Sequence, residues 1–380
     1  MAEALARAGD EVHLVAPADP RERSVGYRSH PLSPLVKFRP RPSVSGLHLL
    51  ERPFFDAVLA LRLLGVVRRE RIEVLHAHNH EGLAAALLAR ALLGVPVVYH
   101  AHNVAEDELP LYAPRLLRGV VRRAARLLDR ILPRCADQVV VLSEDVGAHL
   151  VGLGVGPEQV AVVPPGLDAT LFDDCEPQVR APRVVFAGNL DEYQNLEFLF
   201  SAWDEVGRTL PDAELRIVTH ARGGALARGR AQMVGGRVTV VEASNFAQVR
   251  EELARARAGV SPRASWSGFP IKTLNYMAAG LPTIAVEGSA KGVVDGVTGW
   301  VVGDASVSAF ASAMTEALSQ PREAARRGRA ARLLLQREHA WADLIPAIRA
   351  AGERARMPQV APRPDAVTDQ APAPLPRAAS

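Results

Sequence analysis

Apolar positions along this chain fall into two alternating rhythms. Short unbroken runs read as buried strands, and longer stretches with an apolar residue every three or four positions read as the helices that cover them. Strands are predicted at 11–16, 74–76, 97–100, 138–142, 160–163, 184–187, 215–218, 238–241 and 283–286, with helical patterns between nearly all of them. That alternation is the signature of parallel sheets with helices on their faces, an α/β class. At 173–182 acidic and proline residues break the periodicity and a new strand follows at once, so this segment is the expected linker between a domain at 1–172 and a second at 183–320. Helices over 321–356 are expected to close back toward the first domain, and the Pro- and Ala-rich 357–380, which has no periodicity, is expected to be a disordered tail.

Length agrees with two domains: 380 residues, 48% of them hydrophobic, are enough for two ordinary cores. No apolar run is long enough to span a bilayer, and no signal peptide is expected ahead of the first element. The two cysteines, Cys135 and Cys175, have neither metal-ligand spacing nor the density of a disulfide scaffold, and are expected to be packing residues in a cytoplasmic protein. A net charge of +3, carried almost wholly by arginine in an Ala- and Arg-rich chain, gives no reason to expect a nucleic-acid partner.

Candidate chemistry begins with SGFPIKTLNYMAAGLP at 267–282. Ser267, Gly268 and Pro270 read as a loop that opens into a helix with Ile271, Leu274, Tyr276 and Met277 on its apolar side, and Gly280 and Pro282 end it. Unpaired N–H groups and the positive dipole end of such a junction suit phosphate. A second segment, LHAHNHEGLAAALLARALLGVPVVYHAHN at 75–103, ends two strands in His-Ala-His-Asn and so places imidazoles at the carboxyl ends of parallel strands, where open α/β sheets build their sites. A metal cluster of His76, His78, His80 and His100 is not expected, because alternate strand residues are expected on opposite faces and no carboxylate or cysteine completes an evident ligand set. Capping of strand ends is the plainer role for these rings, above all for His76.

These segments, with VVPPGLDATLF at 162–172 and VVFAGNLDEYQNLEFLFSAW at 184–203, resemble in order and spacing the motifs of retaining glycosyltransferases of family 4. The resemblance covers the chain from Met1 to about residue 350 and implies the GT-B architecture, two Rossmann-like domains facing a cleft. It also implies a strand and a Gly-rich turn ahead of the first helix, so the first strand of the N-terminal domain is expected to be missing and Met1 to be a misassigned start. It implies a nucleotide-sugar donor in the second domain, an acceptor (glycan, lipid-linked or small-molecule) in the first, and retention with no cofactor or bound metal.

Carried over residue by residue, the resemblance makes His102 the catalytic candidate, with His78, Asn103 and Glu106 on the acceptor side; the acidic loop 106–108 is expected to meet acceptor hydroxyls. Donor binding is expected at Gly188, Asn189, Gln194, Arg263, Ser267, Gly268, Phe269, Ile271, Lys272, Asn275 and Lys291. The chain departs from the pattern where charge matters. Ser267 and Asn275 replace two glutamates, and Asn189 and Gln194 replace a basic pair that faces the diphosphate. Neutral amides donate hydrogen bonds without the charge that makes phosphate contacts strong. Lys272 and Lys291, two of only three lysines, are the expected replacements, with Arg263 a third candidate; Ser267 is expected to approach the sugar or cap the helix.

One basic amphipathic stretch, 113–134, fits an anionic membrane surface at the inner face and equally an ordinary core-facing helix with a solvated basic side; the ordinary reading is preferred. Two other readings keep the fold: a catalytically silent relative that binds a nucleotide sugar or a partner, and, less favoured, a nucleotide-sugar epimerase.

Overall fold

The computed structural model describes residues 1–17, 25–32, 47–173, 181–219, 224–232, 234–263, 265–303 and 306–357. The expectations for Cys175, for most of the 173–182 linker and for the tail beyond Met357 lie outside these residues.

The first half contains α1 (Ala2–Arg7), β1 (His13–Ala16), β2 (Arg28–Pro31), α2 (Leu47–Glu70), β3 (Leu75–His78), α3 (Asn79–Leu93), β4 (Val97–Ala101), α4 (Ala105–Glu108), α5 (Arg118–Ile131), β5 (Gln138–Val141), α6 (Glu144–Gly152) and β6 (Val160–Val162). β3, β4, β5 and β6 form one parallel sheet in that order, and β1 and β2 pair as a separate parallel sheet. β4 and β5 are buried along their whole length, as valine-rich parallel strands covered on both faces should be.

The second half contains β7 (Arg183–Ala187), α7 (Leu196–Thr209), β8 (Glu214–Thr219), α8 (Gly224–Ala231), β9 (Arg237–Glu242), α9 (Phe246–Arg255), β10 (Ala258–Ser261), α10 (Ile271–Ala278), β11 (Thr283–Val286), β12 (Gly299–Val302), α11 (Val307–Ser319), α12 (Pro321–Glu338) and α13 (Trp341–Arg356). Its parallel sheet has the order β12-β11-β10-β7-β8-β9. The chain moves outward from β7 to β9 and then returns to the other side of β7, so the strand order reverses between β7 and β10. In doubly wound sheets the ligand crevice opens there, beyond the carboxyl ends of the strands.

Trp203, Val206, Phe310 and Met314 from α7 and α11 fill one face of this sheet against Val184 and Phe186. The last helix belongs to the other core: Leu344, Ile345, Ile348 and Ala351 of α13 pack on Val98 and Val140 of β4 and β5. Burying each of the leucine and isoleucine side chains contributes roughly 1.5–3 kcal/mol.

Three strands were not anticipated from the hydrophobic pattern: β2, β10 and β12. β10 is a central strand made of Ala-Gly-Val-Ser, and the crowding around it explains its composition. A Cβ on Gly259 would lie 2.4 Å from the Tyr276 ring. That ring reaches across β10 so that the Tyr276 hydroxyl accepts from the Ala187 N–H at 2.8 Å and donates to the Val260 carbonyl at 3.2 Å. It thereby satisfies a buried backbone donor where the sheet divides.

Two expectations about exposed surface are corrected. Cys135 is exposed rather than packed. The core-facing apolar side expected for the basic helix is corrected in part: Ala125 and Asp129 of α5 are buried, while Val120, Leu127 and Ile131, with Leu116 in the turn before the helix, are 64%, 56%, 49% and 97% exposed. Among the described residues no helix is long and apolar enough to cross a membrane.

Candidate active site

The reversal point brings two segments together. The carboxyl end of β7 continues into Gly188 and Asn189, and that of β10 into the turn that carries Arg263, Ser265 and Ser267 toward α10. Lys272 lies in the first turn of α10, buried at 9% exposure, with its ammonium 4.0 Å from the centre of the Phe186 ring. Among the described residues its side-chain hydrogen bond goes to the Gln194 amide oxygen; Gln194 donates in turn to Asn189 Oδ1 at 2.7 Å, and Asn189 donates to Asp191 at 2.7 Å and Tyr193 at 2.9 Å. The ammonium therefore reaches one of the neutral amides that stand where basic residues were expected, and is linked to the other, Asn189, through Gln194. Gly188 adjoins it: a Cβ there would be 3.5 Å from Lys272 Nζ. Burial, and then the charge of Arg263, push the Lys272 pKa well below its usual value. Arg263, also 9% exposed, donates to Ser265 Oγ at 3.0 Å and to the Ser267 carbonyl, lies 5.1 Å from the Tyr193 ring centre and leaves its Nε without a partner. Among the described residues neither cation has a salt bridge. Burial lowers the Arg263 pKa while Tyr193, Asp107 and Glu108 nearby oppose that, whereas among the described residues no carboxylate acts on Lys272, a desolvated group whose charged form is unfavourable until an anion arrives.

Across the cleft, β3 and β4 carry a stack of imidazoles. His78 Nδ1 lies 2.7 Å from His102 Nε2, His76 Nδ1 lies 2.9 Å from His100 Nε2, and the His78 ring stacks on both His100 and His102. The parity reading made from sequence is corrected here: His76, His78, His100 and His102 share one face, because each pair is two residues apart and the strands run parallel in register. Burial lowers all four, His76 to about 4 and His78 to about 3, so the stack is neutral at pH 7. Histidines held below their unfolded value bind fewer protons folded than unfolded. Their stability contribution is therefore present above pH 6.5 and is lost as pH falls toward 3–4. Urea unfolding at pH 7, 6 and 5 should show stability falling by roughly 1 kcal/mol per pH unit for each such histidine, and His76→Asn should flatten the slope.

Next to His102, the Asn103 side chain touches the donor turn. Gly268 has φ +73°, and a Cβ there would lie 1.9 Å from Asn103 Oδ1, so a glycine is required both by the backbone conformation and by the approach of the other half. The segment 105–108, expected as a loop, is the short helix α4. Its first N–H groups, those of Ala105 and Glu106, are capped at 3.0 and 2.8 Å by Asp129, which is 1% exposed.

The sequence profile described as Glycosyltransferase Family 4 matches residues 1–171, and that described as Glycosyl transferases group 1 matches residues 181–320. The chain belongs to the family 4, group 1 glycosyltransferases. It is 25% identical over 298 residues to the glycogen synthase of Mycobacterium tuberculosis, covering 77% of this chain and 71% of that protein. Among solved structures, the sucrose-phosphate synthase of Thermosynechococcus elongatus matches with a TM-score of 0.76 at 22% identity, covering 92% of this chain and 89% of that one. The Anabaena HepE protein in complex with UDP and glucose matches with a TM-score of 0.63 at 14% identity, covering 86% and 85%. The architecture is GT-B.

Of the candidates read from this glycosyltransferase's sequence, Gly188, Asn189, Gln194, Arg263 and Lys272 come together, and His78, His102 and Asn103 stand across the cleft from them, where Asn103 meets Gly268 of the donor turn. Others stand elsewhere. Lys291 bonds Asp145 and Ser143 of the first half and lies 5.9 Å from the Trp266 ring centre, so it ties the halves together instead of joining Lys272. Phe269 is buried against His339 and Gly292 and serves packing. Ile271, expected on the apolar side, is 48% exposed, and Asn275, one turn on, is half-buried on the same outer face of α10. Ser267 does not cap α10, whose N-cap is Pro270; it donates to Asp107 instead. Glu106 turns away from the donor turn toward Arg126 and His149, each 3.8 Å off. Sequence reasoning missed Asp129 and Ser265, which act through contacts made only in three dimensions. One further group of ligand atoms, on His13, His30 and Glu70, comes within 4.8 Å on β1, β2 and α2; Glu70 is already engaged by Arg28 and His13 by Glu11.

Proposed function

We propose that this glycosyltransferase moves a sugar from a nucleoside-diphosphate sugar to a glycan, lipid-linked or small-molecule acceptor with retention. The observation that carries the donor reading is the pair of buried cationic side chains, Lys272 and Arg263, neither of them in a salt bridge among the described residues, at the reversal point of the second sheet beside the start of α10. The HepE structure, described with UDP and glucose, supports the same donor chemistry. In this reading the diphosphate meets side-chain cations and backbone N–H groups, His102 faces the reacting sugar, and catalysis rests on orientation and on stabilising leaving-group charge, with no bound metal required.

A lipid-linked acceptor is favoured by α5. Its exposed apolar stripe runs alongside the exposed Arg122, Arg123, Arg126 and Arg130, a combination that fits the headgroup region of an anionic bilayer. Titration calorimetry with UDP, GDP and ADP should show one nucleotide bound by wild type, and vesicle sedimentation should show binding to phosphatidylglycerol over phosphatidylcholine that Leu116→Ser with Val120→Ser abolishes. If wild type binds no nucleotide, a catalytically silent relative becomes the better reading.

A further inference from the structure

We infer that Asp107 supplies, from the acceptor side of the cleft, the carboxylate that receives the hydroxyls of the donor's sugar. The inference rests on the nucleotide-sugar reading and deepens it. One oxygen of Asp107, Oδ2, accepts three hydrogen bonds from the donor turn: from Ser265 Oγ at 2.5 Å, Ser267 Oγ at 2.7 Å and the Ser267 N–H at 3.0 Å. Ser267 is fully buried and Ser265 nearly so, so these donors have the carboxylate in place of water.

The other oxygen, Oδ1, has no hydrogen-bond partner among the described residues. Oδ2 is thus spent on holding the group, and Oδ1 keeps its acceptor capacity. The group is also fixed from behind, because Asp129 pins the start of α4 through two backbone N–H groups. A carboxylate oriented in this way is a strong acceptor for vicinal hydroxyls.

Its position agrees with that use. Arg263 bonds both Ser265 Oγ and the Ser267 carbonyl, so the turn that holds Asp107 adjoins one of the two cations assigned to the diphosphate. The sugar is the next group along the donor. On the remaining side, Asn103 touches Gly268 and stands next to His102. A sugar linked to a diphosphate at Lys272 and Arg263 and facing His102 therefore passes Asp107.

The sequence departs from its relatives in the matching way. Position 267, where the resemblance expects a glutamate, is a serine whose hydroxyl donates to a carboxylate brought from 160 residues away. The negative charge is relocated to the opposite wall of the cleft. Sugar contact then depends on the contact between the halves that the bonds of Asp107 to Ser265 and Ser267 make.

The test compares affinities for matched pairs, UDP with UDP-glucose, GDP with GDP-mannose and ADP with ADP-glucose, using the pair that wild type binds. Asp107→Ala, and the near-isosteric Asp107→Asn, should weaken the nucleotide sugar at least tenfold while the nucleoside diphosphate stays within twofold. Turnover over KM should fall about a hundredfold. Asp107→Ala combined with Ser267→Glu, which returns a carboxylate from the donor side, should recover most of the preference for the sugar nucleotide. Equal weakening of both ligands would make Asp107 a clasp between the halves and overturn the assignment, as would an unchanged preference. Failure of wild type to bind any nucleoside diphosphate would instead remove the donor reading, and this assignment with it. A thermal midpoint for each variant separates these results from misfolding, and Asp107→Asn retains the packing that Asp107→Ala removes.

Discussion

Replacing Lys272 by methionine is expected to weaken nucleoside-diphosphate binding by about 2–3 kcal/mol, roughly 30- to 150-fold, the range for a lost charge-assisted hydrogen bond. The same substitution should leave the empty protein as stable as wild type or more so. Both effects have one cause. The ammonium is buried against Phe186 with only a neutral amide as partner, so its charge is costly in the free enzyme and becomes favourable when an anion arrives. Because burial and Arg263 hold the lysine pKa well below normal, a bound diphosphate should raise it again, so that at pH values above the free-enzyme pKa binding should take up a proton. The sign follows directly: a lysine with a depressed folded pKa favours folding more as pH rises, and the anion reverses that preference at the site. Calorimetry in buffers of different ionisation enthalpy reads the proton uptake, and its loss in Lys272→Met assigns it. Returning basic residues at Asn189 and Gln194 should partly restore affinity in the methionine variant, since Gln194 is the group that Lys272 contacts. Unchanged affinity in Lys272→Met would remove this lysine from the donor site.

His102→Ala should lower turnover by about a hundredfold or more, the usual scale for losing an oriented catalytic side chain, while changing stability by under about 1 kcal/mol. The ring is half-buried at the end of β4, and its Nε2 lies against Nδ1 of His78, so the tautomers of the two neutral rings are coupled and His78 orients the His102 ring. His78→Ala should therefore reproduce part of the loss, seen in turnover more than in KM, because it frees the ring without removing it. Burial also lowers the His102 pKa, so activity should not show a histidine ionisation on going from pH 7 to 8. Wild-type turnover in His102→Ala would end its catalytic role.

How much of this could be read from the chain depended on whether the cause was local. The strand ends at His78 and His102, the glycine turn at Gly268 and the start of α10 were legible because each depends on a few adjacent residues: an apolar run that stops, a residue that tolerates positive φ, a proline ahead of a helix. β10 was not legible. Its four small residues carry no hydrophobic signal, and they are small because Tyr276 lies against Gly259, a contact made by a helix later in the chain. The basic helix was misread for a related reason. Periodicity shows that α5 has an apolar stripe, but whether that stripe meets a core or solvent depends on where α4 packs, and α4 covers the side with Ala125 and Asp129.

The sequence by itself determined the class of the protein: parallel α/β halves, the order of the family motifs and the shortage of charge at 189, 194, 267 and 275. Only the tertiary structure decided how that shortage is met. Lys272 reaches Gln194 from 78 residues away and Asp107 reaches Ser267 from 160, whereas Lys291, an equal candidate by sequence, is drawn off to Asp145. Such pairings arise from strand order and from the closure of one half on the other. Periodicity repeats every two or every 3.6 residues, so it carries the facing of a residue within its own element and no information about which distant element lies opposite.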